Sequence, residues 1–235
     1  MKMGRFFGSR VGTDDDNWIS VSDLMAGLMV IFLFIAITYI RPIVETQNKI
    51  KEIVVTWNAS EVDIREALED EFAKDLAKWN AEFDQQTLTI RFKSPEVLFE
   101  AAAATLKPEF KTILDDFFPR YVAVLHNFRF AIAEVRIEGH TSSEWGPGTS
   151  DDDAYFNNMR LSQDRTRSVL EYGLSLRLPS EYKSFVRDLI TANGLSSSQV
   201  IISDDGEDRE ASRRVEFRVR TNVKEQIIKV LETVG

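Results

Sequence analysis

The hydrophobic positions of the chain form one long continuous run near the N-terminus, followed by shorter helical and alternating patterns. The run, residues 19–40, reads ISVSDLMAGLMVIFLFIAITYI and holds a single ionisable residue, Asp23. A helix of about 22 residues spans about 33 Å, which is enough to cross the hydrocarbon core of a bilayer. The pattern therefore predicts one transmembrane helix over residues 18–41.

The two ends of this run favour an uncleaved membrane anchor. Trp18 and Tyr39 lie where aromatic side chains prefer the interfaces, and Arg41-Pro42 is expected to end the helix. A cleaved signal peptide is the alternative, but the apolar run is too long for one and three aspartates directly precede it. We then expect residues 1–17 to form a cytoplasmic tail and the residues after the span to lie in the periplasm.

Asp23 is the most informative residue of the span. A carboxylate inside a membrane helix costs about 3 kcal/mol even on lenient scales, so such a residue usually faces a partner or a water path. The alternative is that Asp23 lies near the interface and reaches it without any function. Ser20, Gly27 and Val30 share its helical face, and small or polar residues on one face favour contact with other helices.

Residues 42–85 are predicted to form linker helices between the membrane and a C-terminal domain. Residues 43–57 have apolar positions at near-helical spacing, as expected either of a plug that lies on the membrane or of a plain linker. Residues 60–80 form a second helix, with Ser60 as its N-cap. Its apolar stripe is suited to pairing two copies of the chain and consists of Ile64, Leu68, Phe72, Leu76 and Trp79.

The remaining sequence predicts an α/β sandwich with one helical layer. Alternating strands are expected at residues 87–92, 131–139 and 214–220, with helices at 108–125 and 157–174 between them. Strands separated by helices favour this architecture. The chain is thus assigned to the α+β class, with a folded domain at residues 86–222 and a C-terminal helix at 223–235.

Composition narrows the chemistry further. The net charge of −9 argues against direct nucleic-acid binding, which needs a surplus of cationic side chains. The absence of cysteine excludes thiolate catalysis, and two histidines make a histidine-rich metal site improbable. No phosphate-binding loop or nucleophile elbow occurs. We therefore expect no enzyme activity, no metal and no cofactor.

The membrane segment resembles the transmembrane helix of the MotB-like stator subunits of ion-driven motors. The resemblance rests on Trp18, on Asp23 and on the Met- and Phe-rich run DLMAGLMVIFLF that begins at Asp23. It implies that Asp23 carries the transported proton, with sodium as the other possible ion. It also implies a multi-span MotA- or ZorA-like partner, as a pentamer around a dimer of this chain.

The C-terminal sequence resembles the OmpA-like peptidoglycan-binding domain. Three blocks in the family's order carry this resemblance: IEGHT at residues 137–141, NMRLSQDR at 158–165 and SRRVEF at 212–217. It implies an inner-membrane protein whose periplasmic domain binds the cell wall, with Arg165 holding a carboxylate of the stem peptide beside a helix N-terminus. The residues it assigns to the binding site are Thr141, Asn157, Asn158, Leu161, Ser162, Arg165, Arg213 and Arg214.

Two departures from the OmpA-like pattern affect the expected ammonium-binding side of this site. Ser142 stands where the family usually has an aspartate, and an acidic loop at residues 145–156 replaces the usual connection. One of Asp151, Asp152 and Asp153 is a candidate replacement, and weak wall binding is the alternative. Because strand neighbours alternate, only one of Arg213 and Arg214 is expected to face the groove.

Within the MotB-like family, the short tail, the compact linker and the amino-acid sequence of the span most resemble those of the subunits of Zorya anti-phage defence systems. The resemblance implies a proton-driven motor that acts in defence against phage. Two alternatives stay open: a flagellar stator subunit, and an OmpA-like envelope anchor that conducts nothing.

Overall fold

The computed structural model describes residues 14–93, 98–100 and 102–222, with side chains described from residue 21 except at 52–59. The predicted tail up to residue 13 and the predicted helix at 223–235 therefore lie outside the described residues. The side chains of Trp18 and Ser20 also lie outside them.

Helix α1, Asp14–Leu76, continues through Pro42. The expectation that Arg41-Pro42 ends the helix is therefore wrong. Proline removes one backbone donor, which leaves the carbonyl four residues earlier without its helical partner, yet its fixed φ is compatible with a helix.

The N-terminal part of α1 has the character of a membrane span. In the part of the chain that the structure describes, one helical segment, Val21–Lys51, is long and apolar enough to cross a bilayer. Its large apolar side chains are exposed all around the helix, from Val21 to Val44. Side chains exposed in this way are expected to meet lipid or another subunit.

The C-terminal part of α1 belongs to the core of the folded domain. Ile64, Leu68 and Phe72 are almost completely buried and pack into its hydrophobic core. This corrects the interpretation of the stripe as a surface suited to pairing two copies, because the domain itself covers these side chains. Ser60 lies inside α1 and is not the N-cap of a separate helix.

The domain is built on a mixed five-stranded sheet. Its strands are β1 Ala81–Asp84, β2 Thr89–Lys93, β3 Ile132–His140, β4 Ile190–Gly194 and β7 Arg214–Thr221. Their order across the sheet is β1-β2-β7-β3-β4. Only β3 and β4 run parallel, while the other neighbouring strands pair antiparallel.

One helical layer covers a single face of this sheet. It contains α2 Pro108–Asn127, α3 Asp151–Ser175 and α4 Ser180–Leu189. Because side chains alternate along a strand, the face of β7 toward the helices carries Val215, Phe217 and Val219. The α+β class and the single helical layer are confirmed.

Aromatic rings join the sheet to the helices at the centre of the core. The Phe117 ring of α2 lies 4.9 Å from the ring of Phe217 and 5.1 Å from that of Phe92. Phe72 of α1 packs on Phe117 at 5.2 Å. The central strand β7 is thus fixed to α2, and α2 to α1.

Several short elements differ from the prediction or are missing from it. Strands β1 and β4 and helix α4 were not predicted. A separate hairpin, β5 Ile201–Ser203 with β6 Gly206–Asp208, leads into a short helix α5, Arg209–Ser212. Helix α3 begins at Asp151 and not at residue 157, so half of the predicted acidic loop is helical.

We predict that Phe72→Ala destabilises the full-length chain by about 3–5 kcal/mol, because it removes a buried ring from the core. Urea unfolding followed by circular dichroism measures the change. Phe130→Ala is the matched control, since the Phe130 side chain is 78% exposed. Equal effects of the two substitutions would mean that α1 does not belong to the domain core.

Candidate functional site

The membrane part of the candidate machinery is the side chain of Asp23. It is exposed, and so are its apolar neighbours Leu24 and Met25. At Gly27, one turn further on, an added methyl group would meet no described atom within 4 Å apart from the nearby backbone of its own helix. This face of the helix therefore leaves room for another helix beside the carboxylate.

The second candidate site begins where strand β3 ends. The loop that follows, residues 141–144, is held by three separate elements. The Thr141 N–H donates to the Ser196 carbonyl at 2.9 Å. The Asn158 side chain of α3 donates to the carbonyls of Ser142 and Glu144, at 3.1 and 3.2 Å. The loop therefore has one fixed conformation.

The third element that holds this loop is the β5–β6 hairpin. Glu207 of β6 accepts hydrogen bonds from both the backbone N–H of Ser143, at 2.9 Å, and its hydroxyl. No local pattern in the sequence pointed to this carboxylate, whereas Asp151, Asp152 and Asp153 were the predicted candidates. Those three residues form the first turn of α3, capped by Ser150.

Helix α3 lies very close to the ends of β3 and β4. A Cβ atom on Gly194 would come within 2.4 Å of the Gln163 backbone, so only glycine allows this approach. The Gln163 side chain bonds the edge of β4, accepting from Gly194 N–H at 2.8 Å and donating to the Ala192 carbonyl at 3.1 Å. Ser162 accepts a hydrogen bond from the Ser196 N–H at 3.1 Å. These contacts fix the register of α3 against the sheet.

Arg165 of α3 presents a half-buried guanidinium. It stacks on the Phe99 ring, 4.9 Å from the centroid, and its Nε donates to the Ala103 carbonyl at 3.0 Å. Burial, together with the nearby charge of Arg213, lowers the pKa of Arg165 to about 10, which leaves it cationic at neutral pH. Among the described residues, no carboxylate lies within ion-pair distance of it. A fixed guanidinium in this state suits an external carboxylate.

The two neighbouring arginines of the third sequence block have different surroundings. Arg213 is half-buried, and its Nε donates to the Arg209 carbonyl at 3.1 Å. Arg214 is buried, and its Nε donates to Glu216 at 2.7 Å. Of this pair, Arg213 is the one whose charge lowers the pKa of Arg165.

The other predicted site residues are of two kinds, some buried and some half-buried. Thr141, Asn158 and Ser162 are buried, and the last two make hydrogen bonds that support the loop system. Asn157 and Leu161 are half-buried. Helix α3 begins well before these residues, so its N-terminus, which carries three aspartates, does not provide the positive end expected beside Arg165.

Comparison with curated proteins provides the family. The chain is 50% identical over 220 residues to the Zorya protein ZorB of Escherichia coli, a match that covers 93% of this chain and 94% of that protein. The chain belongs to the ZorB family.

Solved structures similar to this ZorB-family chain are more distant. One is a MotB-like protein from Desulfovibrio vulgaris, at 22% identity and a TM-score of 0.46, covering 73% of this chain and 94% of that one. Another is the cell wall anchor of the T6SS from Pseudomonas aeruginosa, at 22% identity and a TM-score of 0.44, covering 66% and 96%. No protein-family model matches the chain. Likenesses of this degree carry no functional argument.

The face of the sheet away from the helices holds a buried charged network in this ZorB-family chain. Atoms of Glu138, His140 and Glu216 that could bind a metal lie within 4.8 Å of one another. Guanidinium groups already bind Glu216, however: Arg91 and Arg214 each donate to it at 2.7 Å. A divalent cation would meet these positive charges, so the cluster is better suited to structural support than to metal binding.

This network shifts the pKa values of Glu138, His140 and Glu216. Burial raises the pKa of Glu138 and, with the charge of Arg214, lowers the pKa of His140 to about 4. Burial alone would also raise the pKa of Glu216, but hydrogen bonds from Arg214 and Arg91 lower it to about 2. His140 is therefore neutral in the folded ZorB-family domain at neutral pH.

We predict that the domain becomes less stable by about 1–2 kcal/mol between pH 7 and pH 5, because His140 binds a proton in the unfolded chain but not in the folded one. Stability is full above the unfolded pKa of 6.5 and falls as the pH drops toward about 4. Urea unfolding of the full-length chain at the two pH values measures this change.

The two histidines provide a matched pair of variants for this test. His140→Gln should make the pH-dependent loss smaller, whereas His126→Gln should keep it. The same loss in both variants would show that another group causes it.

Proposed function

We propose that this chain is the wall-anchored, ion-carrying subunit of a proton-driven inner-membrane complex that acts in defence against phage. The observation that carries the proposal is Asp23, the single carboxylate of the apolar run at residues 19–40, in a segment whose described apolar side chains are exposed. Membership of the ZorB family supports the same function.

The position of Asp23 supports an ion-carrying role. Isolation in lipid would cost this carboxylate about 3 kcal/mol, so a second subunit is expected to surround it. Protons that reach the carboxylate from one side and leave it to the other would move down the membrane potential. Each such proton supplies about 2.3 kcal/mol per 100 mV. Sodium is the alternative ion.

The partner in this proposal is a multi-span ZorA-like subunit. One span cannot enclose an ion path, so the other walls must come from more helices. The exposed apolar side chains around Asp23 and the open space at Gly27 suit such a contact. By the resemblance to MotB-like stators, a dimer of this chain lies inside a pentamer of the partner.

Arg165 supports the second half of the proposal, which is binding to peptidoglycan in the periplasm. The stem peptide of peptidoglycan carries carboxylates, and a guanidinium can bind a carboxylate through two parallel hydrogen bonds. Arg165 is held by Phe99 and the Ala103 carbonyl, so little side-chain entropy remains to be lost on binding. In this arrangement the N-terminus is cytoplasmic and the C-terminal domain periplasmic.

We predict that Asp23→Asn abolishes protection against phage while the chain still assembles with its partner. The amide has nearly the same shape as the carboxylate but cannot take up and release a proton. Plating efficiency of phage measures protection, and co-purification measures assembly.

Asp70→Asn is the matched control for this experiment, since Asp70 is an exposed carboxylate of the same helix outside the span. It should retain full protection. Full protection by Asp23→Asn would favour the envelope anchor that conducts nothing. Restored swimming in a strain without its own flagellar stator would favour the flagellar alternative.

We also predict that Arg165→Ala weakens binding of the full-length chain to purified sacculi by about tenfold or more, as expected for loss of a charge-assisted contact. Co-sedimentation measures the bound fraction. Arg167→Ala, two residues away on α3, removes an exposed arginine and should bind normally. Unchanged binding by the Arg165 variant would mean that the wall-binding site lies elsewhere.

A further inference from the structure

Pro42 leaves one backbone acceptor of α1 without its regular donor. The residues around Pro42 are α-helical, and in this pattern the N–H of residue 42 would bond to the carbonyl of Thr38. Proline has no N–H, so the Thr38 carbonyl loses this hydrogen bond. The N–H groups on either side of Pro42 belong, in the same pattern, to the carbonyls on either side of Thr38. Thr38 therefore presents an acceptor that the helical ladder does not fill.

Hydroxyl groups near Pro42 do not replace the missing donor. The Thr38 hydroxyl donates to the Phe34 carbonyl at 2.7 Å. The Thr46 hydroxyl donates to the carbonyl of Pro42 itself, also at 2.7 Å. Among the side chains that the structure describes, none donates to the Thr38 carbonyl. A donor for this carbonyl is therefore expected from outside the described chain.

The unfilled carbonyl lies in an apolar part of the helix. Thr38 belongs to the apolar run of residues 19–40 and to the segment Val21–Lys51, which is long and apolar enough to cross a bilayer. Its side chain is exposed, as are those of Ile37 and Tyr39. Hydrocarbon offers no donor to a backbone carbonyl, and spanning helices that contain proline obtain one from a hydroxyl side chain, an enclosed water or a neighbouring helix.

The side of the helix that carries this carbonyl also carries Asp23. Fifteen residues separate Asp23 from Thr38, so their directions around the helix axis differ by only about 60°. Along the axis they lie about 22 Å apart. Gly27, which leaves room beside the helix, lies about 40° from Asp23 in the same direction. A second helix packed along this side would meet both the carboxylate and the carbonyl.

We propose that the Thr38 carbonyl accepts a hydrogen bond from a membrane helix of the multi-span partner subunit; this inference rests on the proposed function, which supplies that partner. The donor is a hydroxyl, amide or indole N–H group on the partner's helix. Because a hydrogen bond is directional, this contact fixes the rotation and the depth of the span. Asp23 is thereby held against the same partner at the other end of the span.

A second copy of this chain suits the contact less well. In a parallel pair of copies, residues of the same number lie at the same depth. Residues 24–40 contain two polar side chains, Thr38 and Tyr39. The Thr38 hydroxyl is already used by the Phe34 carbonyl, and Tyr39 points about 100° away from Thr38 around the helix.

Two residues placed at position 42 test the role of the carbonyl, because they differ only in the N–H group. Pro42→Ala restores the N–H that fills the Thr38 carbonyl within the helix. Lactic acid at position 42, the hydroxy-acid analogue of alanine, has an ester oxygen there and leaves this carbonyl unfilled. Both variants lack the proline ring, so any effect of helix bending is common to both.

Association with the partner is measured in liposomes that contain both full-length proteins. Energy transfer between fluorescent labels on the two proteins is followed as the liposomes are diluted with lipid. Pro42→Ala should weaken association about three- to tenfold, as expected for loss of one hydrogen bond between membrane helices. The lactic acid variant should associate like the unchanged chain. Equal weakening in both variants, or none in either, would overturn the role of the carbonyl.

Photo-crosslinking tests which molecule lies beside Thr38. Benzoylphenylalanine in place of Thr38 should crosslink to the multi-span partner on illumination. Crosslinks only to a second copy of this chain, or only to lipid, would overturn the assignment to the partner.

The proposed function can fail separately from this contact. Full protection by Asp23→Asn would remove the ion-carrying role, whereas the carbonyl contact is judged by association alone. An unchanged chain that does not associate with the multi-span subunit would overturn the proposed complex and this contact with it.

Discussion

The alternation of side chains along strand β7 is the constraint on which the folded domain depends. Phe217 points into the aromatic core with Phe92 and Phe117, while its neighbour Glu216 points to the opposite face and binds Arg91 and Arg214. A shift of one residue in register would place the charged groups in the core and the rings in the charged network. Both faces therefore select the same register, and the neighbouring strands follow it.

This register determines where the candidate wall-binding site lies. Because β7 pairs with β3, the last residue of β3 and the first of β7, His140 and Arg214, lie side by side. The loop after β3 then meets the segment that precedes β7, which carries Arg209 and Arg213. Helix α3, which carries Arg165, is fixed against the ends of β3 and β4 by the contacts of Ser162 and Gln163. The two neighbouring arginines of the third block differ: Arg214 belongs to the buried charged network, whereas Arg213 is half-buried and its charge acts on Arg165.

Local patterns in the sequence predicted some of these features well. The apolar run around Asp23, the alternating strands β3 and β7 and helix α2 all follow from periodicity within a single segment. What covers the apolar stripe of residues 60–80 could not be predicted in this way. An apolar face shows that a helix is covered, but it does not show which part of the protein covers it. Glu207 could not be found either, since its contact with Ser143 joins residues 64 positions apart. The early start of α3 had a local signal that was overlooked: Ser150 followed by three aspartates is a typical helix start.

We propose two chemical tasks for this chain: the Asp23 carboxylate carries an ion through a membrane, and Arg165 binds the cell wall. Proton uptake is the measurement that tests its central claim most directly. Vesicles that contain this chain with its multi-span partner enclose a pH-sensitive dye. A membrane potential that is negative inside is applied, so that it draws protons inward. The account predicts that the interior acidifies, and that vesicles with the partner alone do not take up protons. No uptake beyond that of the partner alone would contradict it.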